Sequence, residues 1–172
     1  MPVIFSSGLR WLWLTVTVIV VDQFSKQLAV NGLELHEAVP LLPSLNLMLA
    51  HNTGAAFSFL SSASGWQRWF FVCLAVAVSL VLMFWLRRLT AGHQLQACAL
   101  ALILGGALGN VWDRLTYGYV IDFIDVYYKN WHWPVFNVAD SAIAVGAVLL
   151  IIDTILRPVS NHRSGAEGKD HD

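Results

Sequence analysis

Four apolar segments constrain what this chain can fold into, because each is close to the length that crosses a lipid bilayer. A helix needs about 20 apolar residues to span the hydrocarbon core. Three segments reach that length outright, and a fourth reaches it only with residues on both sides of its short core, Trp11 to Val21. No small-residue cleavage site follows that core, so we interpret it as an uncleaved span and not as a removable leader. The predicted spans are residues of about 8–30, 67–86, 93–112 and 137–156.

The composition supports an integral membrane protein and excludes several other classes. Hydrophobic residues make up 57% of the 172 residues and charged residues 12%, which is more apolar surface than a soluble domain of this size can bury. The net charge of −1 is thinly spread, so no nucleic acid partner is expected. Cys73 and Cys98 lie in apolar segments without CxxC spacing and are interpreted as small buried hydrophobic residues. The sequence predicts an all-α membrane protein with one four-span domain, residues 1–159, and a polar tail, residues 160–172.

The distribution of positive charge predicts the orientation in the membrane. Four spans place both ends of the chain on one side. Arg10, Arg87, Arg88, Arg157, Arg163 and Lys169 lie on that side, and Lys26, Arg68, Arg114 and Lys129 lie on the other. Because Lys and Arg are enriched in cytoplasmic segments, both termini are predicted to be cytoplasmic and the two long connections to face outward.

The two outward connections carry patterns of their own. In the first, the segments 33–36 and 44–49 alternate apolar and polar residues around Pro40 and Pro43, which predicts a small β-hairpin or cradle resting on the membrane surface. The second, residues 113–136, contains several Tyr and Trp residues of the kind that settle at the headgroup level. We predict that it forms an aromatic loop on the bilayer surface between spans 3 and 4.

Two carboxylates, Asp122 and Asp140, each lie beside a span, and the predicted topology returns both to the outer face. An acidic side chain at membrane depth is costly, so it is a functional candidate. Structural alternatives exist: Asn137 is placed to cap the fourth helix with Asp140 at its third position, and Asp122 could be solvated in a loop. We favour chemistry, because other polar residues gather at the same edge. Two converging carboxylates indicate water activation and aspartic proteolysis, with one ionised as the base and the other protonated as the acid.

Three further clusters accompany the carboxylates. Asp22 and Lys26 are four apart on a helix and form either a functional pair or a simple ion pair with a snorkelling lysine. Residues 52–58, which include Asn52 and Gly54, form either a turn or a small-residue surface that a peptide approaches closely.

The third cluster combines packing and polar residues at the end of the third span. Gly105 and Gly109 form a GxxxG face, which is typical of close helix packing in lipid. Packing does not account for the polar residues beside it, Asn110, Asp113 and Arg114. The arginine is placed to orient or neutralise a carboxylate.

Other chemistries lack their motifs. The six histidines show no HExxH spacing and no GxSxG is present, so neither a metal nor another cofactor is expected. A proton-coupled small membrane transporter would also use buried carboxylates, and it is the alternative function. Its polar residues should gather at the bilayer midplane and its halves should be paired, whereas here the polar residues gather at one edge. A non-enzymatic scaffold would explain the spans but not that edge.

Over nearly its whole length the chain resembles the lipoprotein signal peptidases, or signal peptidase II. The motifs that carry the resemblance are Asp22-Gln23-Phe24-Ser25-Lys26, Asn52-Thr53-Gly54-Ala55-Ala56-Phe57, Gly105-Gly106-Ala107-Leu108-Gly109-Asn110 with Asp113-Arg114, Val120-Ile121-Asp122-Phe123 and Phe136-Asn137-Val138-Ala139-Asp140. The resemblance implies an aspartic endopeptidase of the bacterial inner membrane that cleaves prolipoproteins just before a cysteine carrying diacylglycerol.

The resemblance also implies roles for individual residues and partners. Asp122 and Asp140 would be the catalytic pair. The supporting residues would be Asn52, Gly54, Asn110, Asp113, Arg114, Asn137, Asp22 and Lys26. The implied partners are lipid-modified prolipoproteins, membrane lipid and cyclic-peptide antibiotic inhibitors, and the protein is expected to be a monomer with its active site near the outer face of the membrane.

Overall fold

The computed structural model describes residues 8–54 and 65–156. The predicted contribution of residues 55–58 to a peptide-binding surface, and that of the polar tail from Ser160 onward, lie outside the described residues.

Helices make up most of the described chain. The helices are α1 (Leu12–Gly32), which follows a short 3-10 turn (Gly8–Trp11), α2 (Trp66–Arg88), α3 (Gln94–Thr116) and α4 (Val138–Leu156). Within the described ranges, α2, α3 and α4 are long and apolar enough to cross a membrane. They correspond to three of the predicted spans. Helix α1 is 21 residues long but includes the charged residues Asp22 and Lys26, and its membrane crossing stays a prediction.

Helix α3 lies at the centre of the bundle and packs against the other three helices. Small residues allow this close approach. A Cβ added at Gly105 would lie 2.8 Å from Cβ of Val18 in α1, and a Cβ added at Gly109 would lie 2.7 Å from Asp22 Oδ2 in the same helix. On another side of α3, a Cβ added at Gly106 would collide with the backbone oxygen of Ala139 in α4. The predicted packing role of the glycine face is therefore confirmed.

A four-stranded antiparallel sheet lies at the end of the bundle where α1 and α3 finish and α4 begins. Its strands are β1 (Ala38–Leu42), β2 (Leu45–Asn52), β3 (Val120–Tyr128) and β4 (Trp131–His132), paired in the order β1-β2-β3-β4. The first connection thus supplies two strands and the second supplies two more. The fold is mostly helical with a small antiparallel sheet, and the predicted hairpin of the first connection is present as β1 and β2. The two strands of the second connection were not predicted, and they enlarge the sheet beyond a hairpin.

The predicted position of the first strand, residues 33–36, is wrong. The strand begins at Ala38, and Leu35 makes only an isolated bridge to Leu49. Pro40 lies inside β1 and pairs with Asn46. Proline lacks the N–H that a central strand needs, but β1 is an edge strand and tolerates this loss.

Residues 113–136 were predicted to be a loop, but much of this segment is regular structure. Its position on the bilayer surface stays a prediction. Helix α3 continues to Thr116, and residues 120–128 form β3 against β2. This segment forms a strand because an apolar cluster lies beneath the sheet, in which Ile121 and Phe123 pack with Leu49 and with Ala29 of α1. This packing buries the strand that carries Asp122 and positions it over the helix ends.

Candidate active site

Asp122 lies on β3 with both carboxylate oxygens engaged. Asn137 Nδ2 donates to Oδ1 at 2.7 Å, and Asn52 Nδ2 donates to Oδ2 at 3.0 Å. The residue is only 2% exposed, so the alternative of a solvated loop carboxylate is wrong. Burial, together with the nearby charge of Asp140, raises the pKa of Asp122 to about 7.

Asp140 lies in the first turn of α4, and the predicted cap is confirmed. Its backbone N–H donates to Asn137 Oδ1 at 2.8 Å, while Asn137 N donates back to Asp140 Oδ2 at 3.3 Å. This reciprocal pair has the form of a capping box. Asp140 makes one more hydrogen bond: its Oδ1 accepts from Asn110 Nδ2 at 2.8 Å. The cap therefore orients the Asp140 carboxyl, which still lines the cleft.

A buried ionic cluster lies behind the two carboxyls. Lys26 is 1% exposed and contacts Asp22 Oδ2 at 2.7 Å and Asp113 Oδ2 at 2.8 Å. The alternative of a snorkelling surface lysine is therefore wrong. Lys26 Nζ also donates to Asn110 Oδ1 at 3.1 Å, which turns the amide nitrogen of Asn110 toward Asp140.

The same cluster ties the helices and the sheet together. Asp22 Oδ1 accepts from Ala139 N at 2.9 Å, and Asp113 Oδ2 accepts from Ile121 N at 3.1 Å. Gln23, which sequence reasoning placed in a motif but not in the site, donates to Asp113 Oδ1 at 2.8 Å and also contacts Asp22. Buried ions without partners cost several kcal/mol each, so these contacts are needed for the cluster to exist at all.

Arg114 braces the edge of the site without forming a salt bridge to any carboxylate in the described ranges. Its guanidinium donates to the backbone oxygens of Gly54 and Asn110, at 3.2 and 3.3 Å, and lies over the ring of Phe71. The predicted role of Arg114 in orienting or neutralising a carboxylate therefore involves no direct ion pair here and stays a prediction. The arginine instead holds the segment that follows β2, where Gly54 N also donates to Asn52 Oδ1.

A cleft of about 850 Å³ opens over the two carboxyls. The predicted site residues that line it are Asn52, Gly54, Asn110, Arg114, Asp122 and Asp140. The other predicted residues, Asp22, Lys26, Asp113 and Asn137, lie behind its wall. Asp125 and His132 also line the cleft, and sequence reasoning missed both as site residues. The feature that identifies Asp125 is its pairing with Asn46 across β2 and β3, which the sequence did not reveal. No group of three or more metal-binding side chains occurs within residues 8–54 and 65–156.

A helical membrane bundle whose end carries two carboxyls in an open cleft, one of them buried and one half-buried, has the architecture of a membrane enzyme. Two solved structures of bacterial membrane enzymes share the fold. One, solved at 2.3 Å, is 27% identical with a TM-score of 0.79 over 92% of this chain and 94% of its own. The other, solved at 1.9 Å, is 28% identical with a TM-score of 0.76 over 87% and 94%.

The family model for signal peptidase (SPase) II matches residues 14–156. A lipoprotein signal peptidase of Photorhabdus laumondii subsp. laumondii is 57% identical over 90% of this chain and 93% of its own length. That of Yersinia enterocolitica is 54% identical over 90% and 92%. The chain belongs to the signal peptidase II family and is a peptidase. The transporter alternative finds no support in these relationships.

Proposed function

We propose that this protein is an aspartic endopeptidase that removes the signal peptide from diacylglyceryl-modified prolipoproteins, with Asp122 and Asp140 as its catalytic pair. One observation carries the proposal: the two carboxyls share a cleft, and Asn137 contacts both of them. The family and the names of the relatives support signal peptide removal from lipoproteins as the reaction.

The environments of the two carboxyls support a division of labour. Asp122 holds the shared proton, because burial and the neighbouring Asp140 raise its pKa to about 7. Asp140 accepts hydrogen bonds from Asn110 and Asn137 in the first turn of α4, where the helix dipole attracts negative charge. Asp140 is therefore the base and Asp122 the acid.

The reaction then proceeds in two stages. Asp140 takes a proton from a water molecule while the water oxygen attacks the scissile carbonyl carbon. Asp122 gives its proton to the carbonyl oxygen. When the tetrahedral adduct collapses, the C–N bond breaks and the leaving amine takes the proton from Asp140. One hydroxyl of the adduct gives its proton to Asp122 as the new carboxyl group forms, so the pair returns to its singly protonated state. Asn52 and Asn137 hold Asp122 in place through both stages.

The surroundings of the cleft support a lipidated substrate that enters from the bilayer. Ile143 and Ala144 of α4 and Met48 of β2 give the cleft an apolar wall beside its polar floor. Helix α4 is one of the helices suited to cross the membrane, so we expect the part of this wall on α4 to adjoin lipid. The position is consistent with a substrate whose acyl chains stay in the bilayer while its peptide enters the cleft.

The test compares two peptides that differ only in lipidation. Purified protein should cleave a diacylglyceryl-modified prolipoprotein peptide immediately before the modified cysteine and leave the unlipidated peptide largely intact. Asp122→Asn is the matched inactive control. Equal cleavage of both peptides would contradict lipid dependence, and cleavage by the control would contradict the carboxyl pair.

A further inference from the structure

Three side chains in the sheet form a polar trio that the proposed chemistry does not use. Asp125 is fully buried, at 0% exposure, and its Oδ2 accepts a hydrogen bond from Asn46 Nδ2 at 2.9 Å. His132 Nδ1 lies 2.9 and 3.1 Å from the two oxygens of Asp125. The His132 side chain is 52% exposed, and both Asp125 and His132 line the cleft. A buried carboxylate thus holds an accessible imidazole at the cleft wall.

The trio determines which ring nitrogen of His132 faces outward. A carboxylate accepts hydrogen bonds, so the ring proton lies on Nδ1 and Nε2 is the remaining acceptor of the neutral imidazole. Tyr127 stacks on the ring, with centroids 5.3 Å apart, and limits its rotation. The tautomer and the orientation of His132 are therefore both fixed. A hydrogen bond to Asp125 would need only Nδ1, so the outward-facing Nε2 is free for another role.

The position of the trio relative to Asp122 indicates which part of a substrate it meets. Asp125 is three residues beyond Asp122 on β3, a distance of about 10 Å at the usual rise of a strand. The start of β3 packs on Ala29 of α1 and near Val138 of α4, while its far end carries the short hairpin to β4. The trio thus lies on the side of the carboxyl pair away from the helices. An apolar signal peptide stays with the helices, so the mature segment runs toward the trio.

We propose that His132 is a substrate-binding residue whose Nε2 accepts a hydrogen bond from a backbone N–H three or four residues after the scissile bond. Asp125 and Asn46 are the positioning residues that hold the imidazole for this contact. The inference rests on the proposed peptidase function and extends it to a specific subsite. A backbone N–H is present at every residue except proline, so this contact recognises an extended mature segment largely independently of its side chains.

Two substitutions at one position separate substrate binding from structural support. In His132→Asn, the amide nitrogen takes the place of Nδ1 and can still donate to Asp125, but the Nε2 acceptor is lost. In His132→Gln, the longer side chain carries its amide to the Nε2 position and restores an acceptor. KM for the lipopeptide should rise about fivefold in His132→Asn, the effect of one neutral hydrogen bond, with kcat little changed. KM should return toward the wild-type value in His132→Gln.

The matched control is His36→Asn. His36 lies outside the cleft lining and has a φ of 64°, a conformation that asparagine adopts readily. Its KM should equal that of the wild type. If His132→Asn also keeps the wild-type KM, or if His132→Gln is impaired as much as His132→Asn while both lose thermal stability, the trio is only structural and the proposal is overturned.

A change in the substrate supplies the second arm. Lipopeptides in which an ester oxygen replaces the backbone N–H of the third or the fourth mature residue lack the proposed donor. One of these two should raise the wild-type KM about fivefold and have no added effect in His132→Asn, because the same bond is already absent. Additive effects would overturn the subsite. A wild-type protein that cleaves no lipopeptide would instead overturn the proposed function itself.

Discussion

Asn137 Nδ2 donates a hydrogen bond of 2.7 Å to Asp122 Oδ1, across the boundary between α4 and the sheet. Asn137 is also the N-cap of α4, so the residue that orients Asp122 begins the helix that carries Asp140. One side chain thus sets the relative position of the two carboxyls. The dependence of the site on a helix cap can be tested directly.

Replacement of Asn137 should separate the cap from the contact with Asp122. Asn137→Asp keeps a good N-cap, so its thermal midpoint should stay near the wild-type value. It loses the donor to Asp122, and kcat should fall about tenfold or more. Asn137→Ala should lose activity and also about 1 kcal/mol of stability. Lipopeptide cleavage and thermal unfolding in detergent measure both effects, and full activity in Asn137→Asp would contradict the interpretation.

Asp122→Asn and Asp140→Asn should each abolish cleavage. Asparagine keeps the shape of the side chain and removes its proton chemistry, a loss of about 10²- to 10⁴-fold for general acid or base catalysis. Both variants should unfold cooperatively in detergent like the wild type. Substantial cleavage by either one would exclude the carboxyl pair as the catalyst.

The raised pKa of Asp122 predicts how activity and stability vary with pH. If protonated Asp122 is the acid, kcat/KM should fall as the pH rises through about 7. The folded protein also binds this proton more tightly than the unfolded chain, whose Asp titrates near 3.8. The contribution of the group to stability is therefore complete below pH 3.8 and is lost as the pH rises toward 7. The thermal midpoint of wild type minus that of Asp122→Asn should fall over this interval, and a difference that rises would contradict the assignment.

Gly106→Ala tests the close contact between α3 and α4. The added methyl group would meet the backbone oxygen of Ala139, which cannot move without displacing the helix that carries Asp140. We expect a loss of about 1–3 kcal/mol in stability and a loss of activity. Gly32→Ala, at the end of α1, has nothing within 4 Å of the added atom and is the control. Equal behaviour of the two variants in thermal unfolding would contradict this account.

Cysteine labelling tests the proposed membrane orientation. In a variant without Cys73 and Cys98, single cysteines at His36 and Asn130 should react with an impermeant thiol reagent in intact cells, because the proposed orientation places the sheet on the outer side. A cysteine at Ala91, in the connection between α2 and α3, should react only after lysis. Labelling of Ala91 but not of His36 in intact cells would invert the orientation.

The sequence by itself determined the apolar helices, because their length and hydrophobicity are local properties of the chain. It also determined the cap of α4, since Asn137 and Asp140 are only three residues apart and their bonds form within one turn. The glycine face of α3 could also be recognised from the sequence, because residues four apart lie on the same side of a helix.

The tertiary structure alone decided how the two long connections form a sheet. Residues 120–128 pair with β2 across about 70 residues of chain, and no local pattern specifies that register. This pairing buries Asp122 and raises its pKa, and it places Asp125 opposite Asn46. The ionic cluster of Lys26 with Asp22 and Asp113 likewise depends on two helices meeting. Long-range pairing and desolvation, which act between distant parts of the chain, therefore decided the geometry of the candidate site.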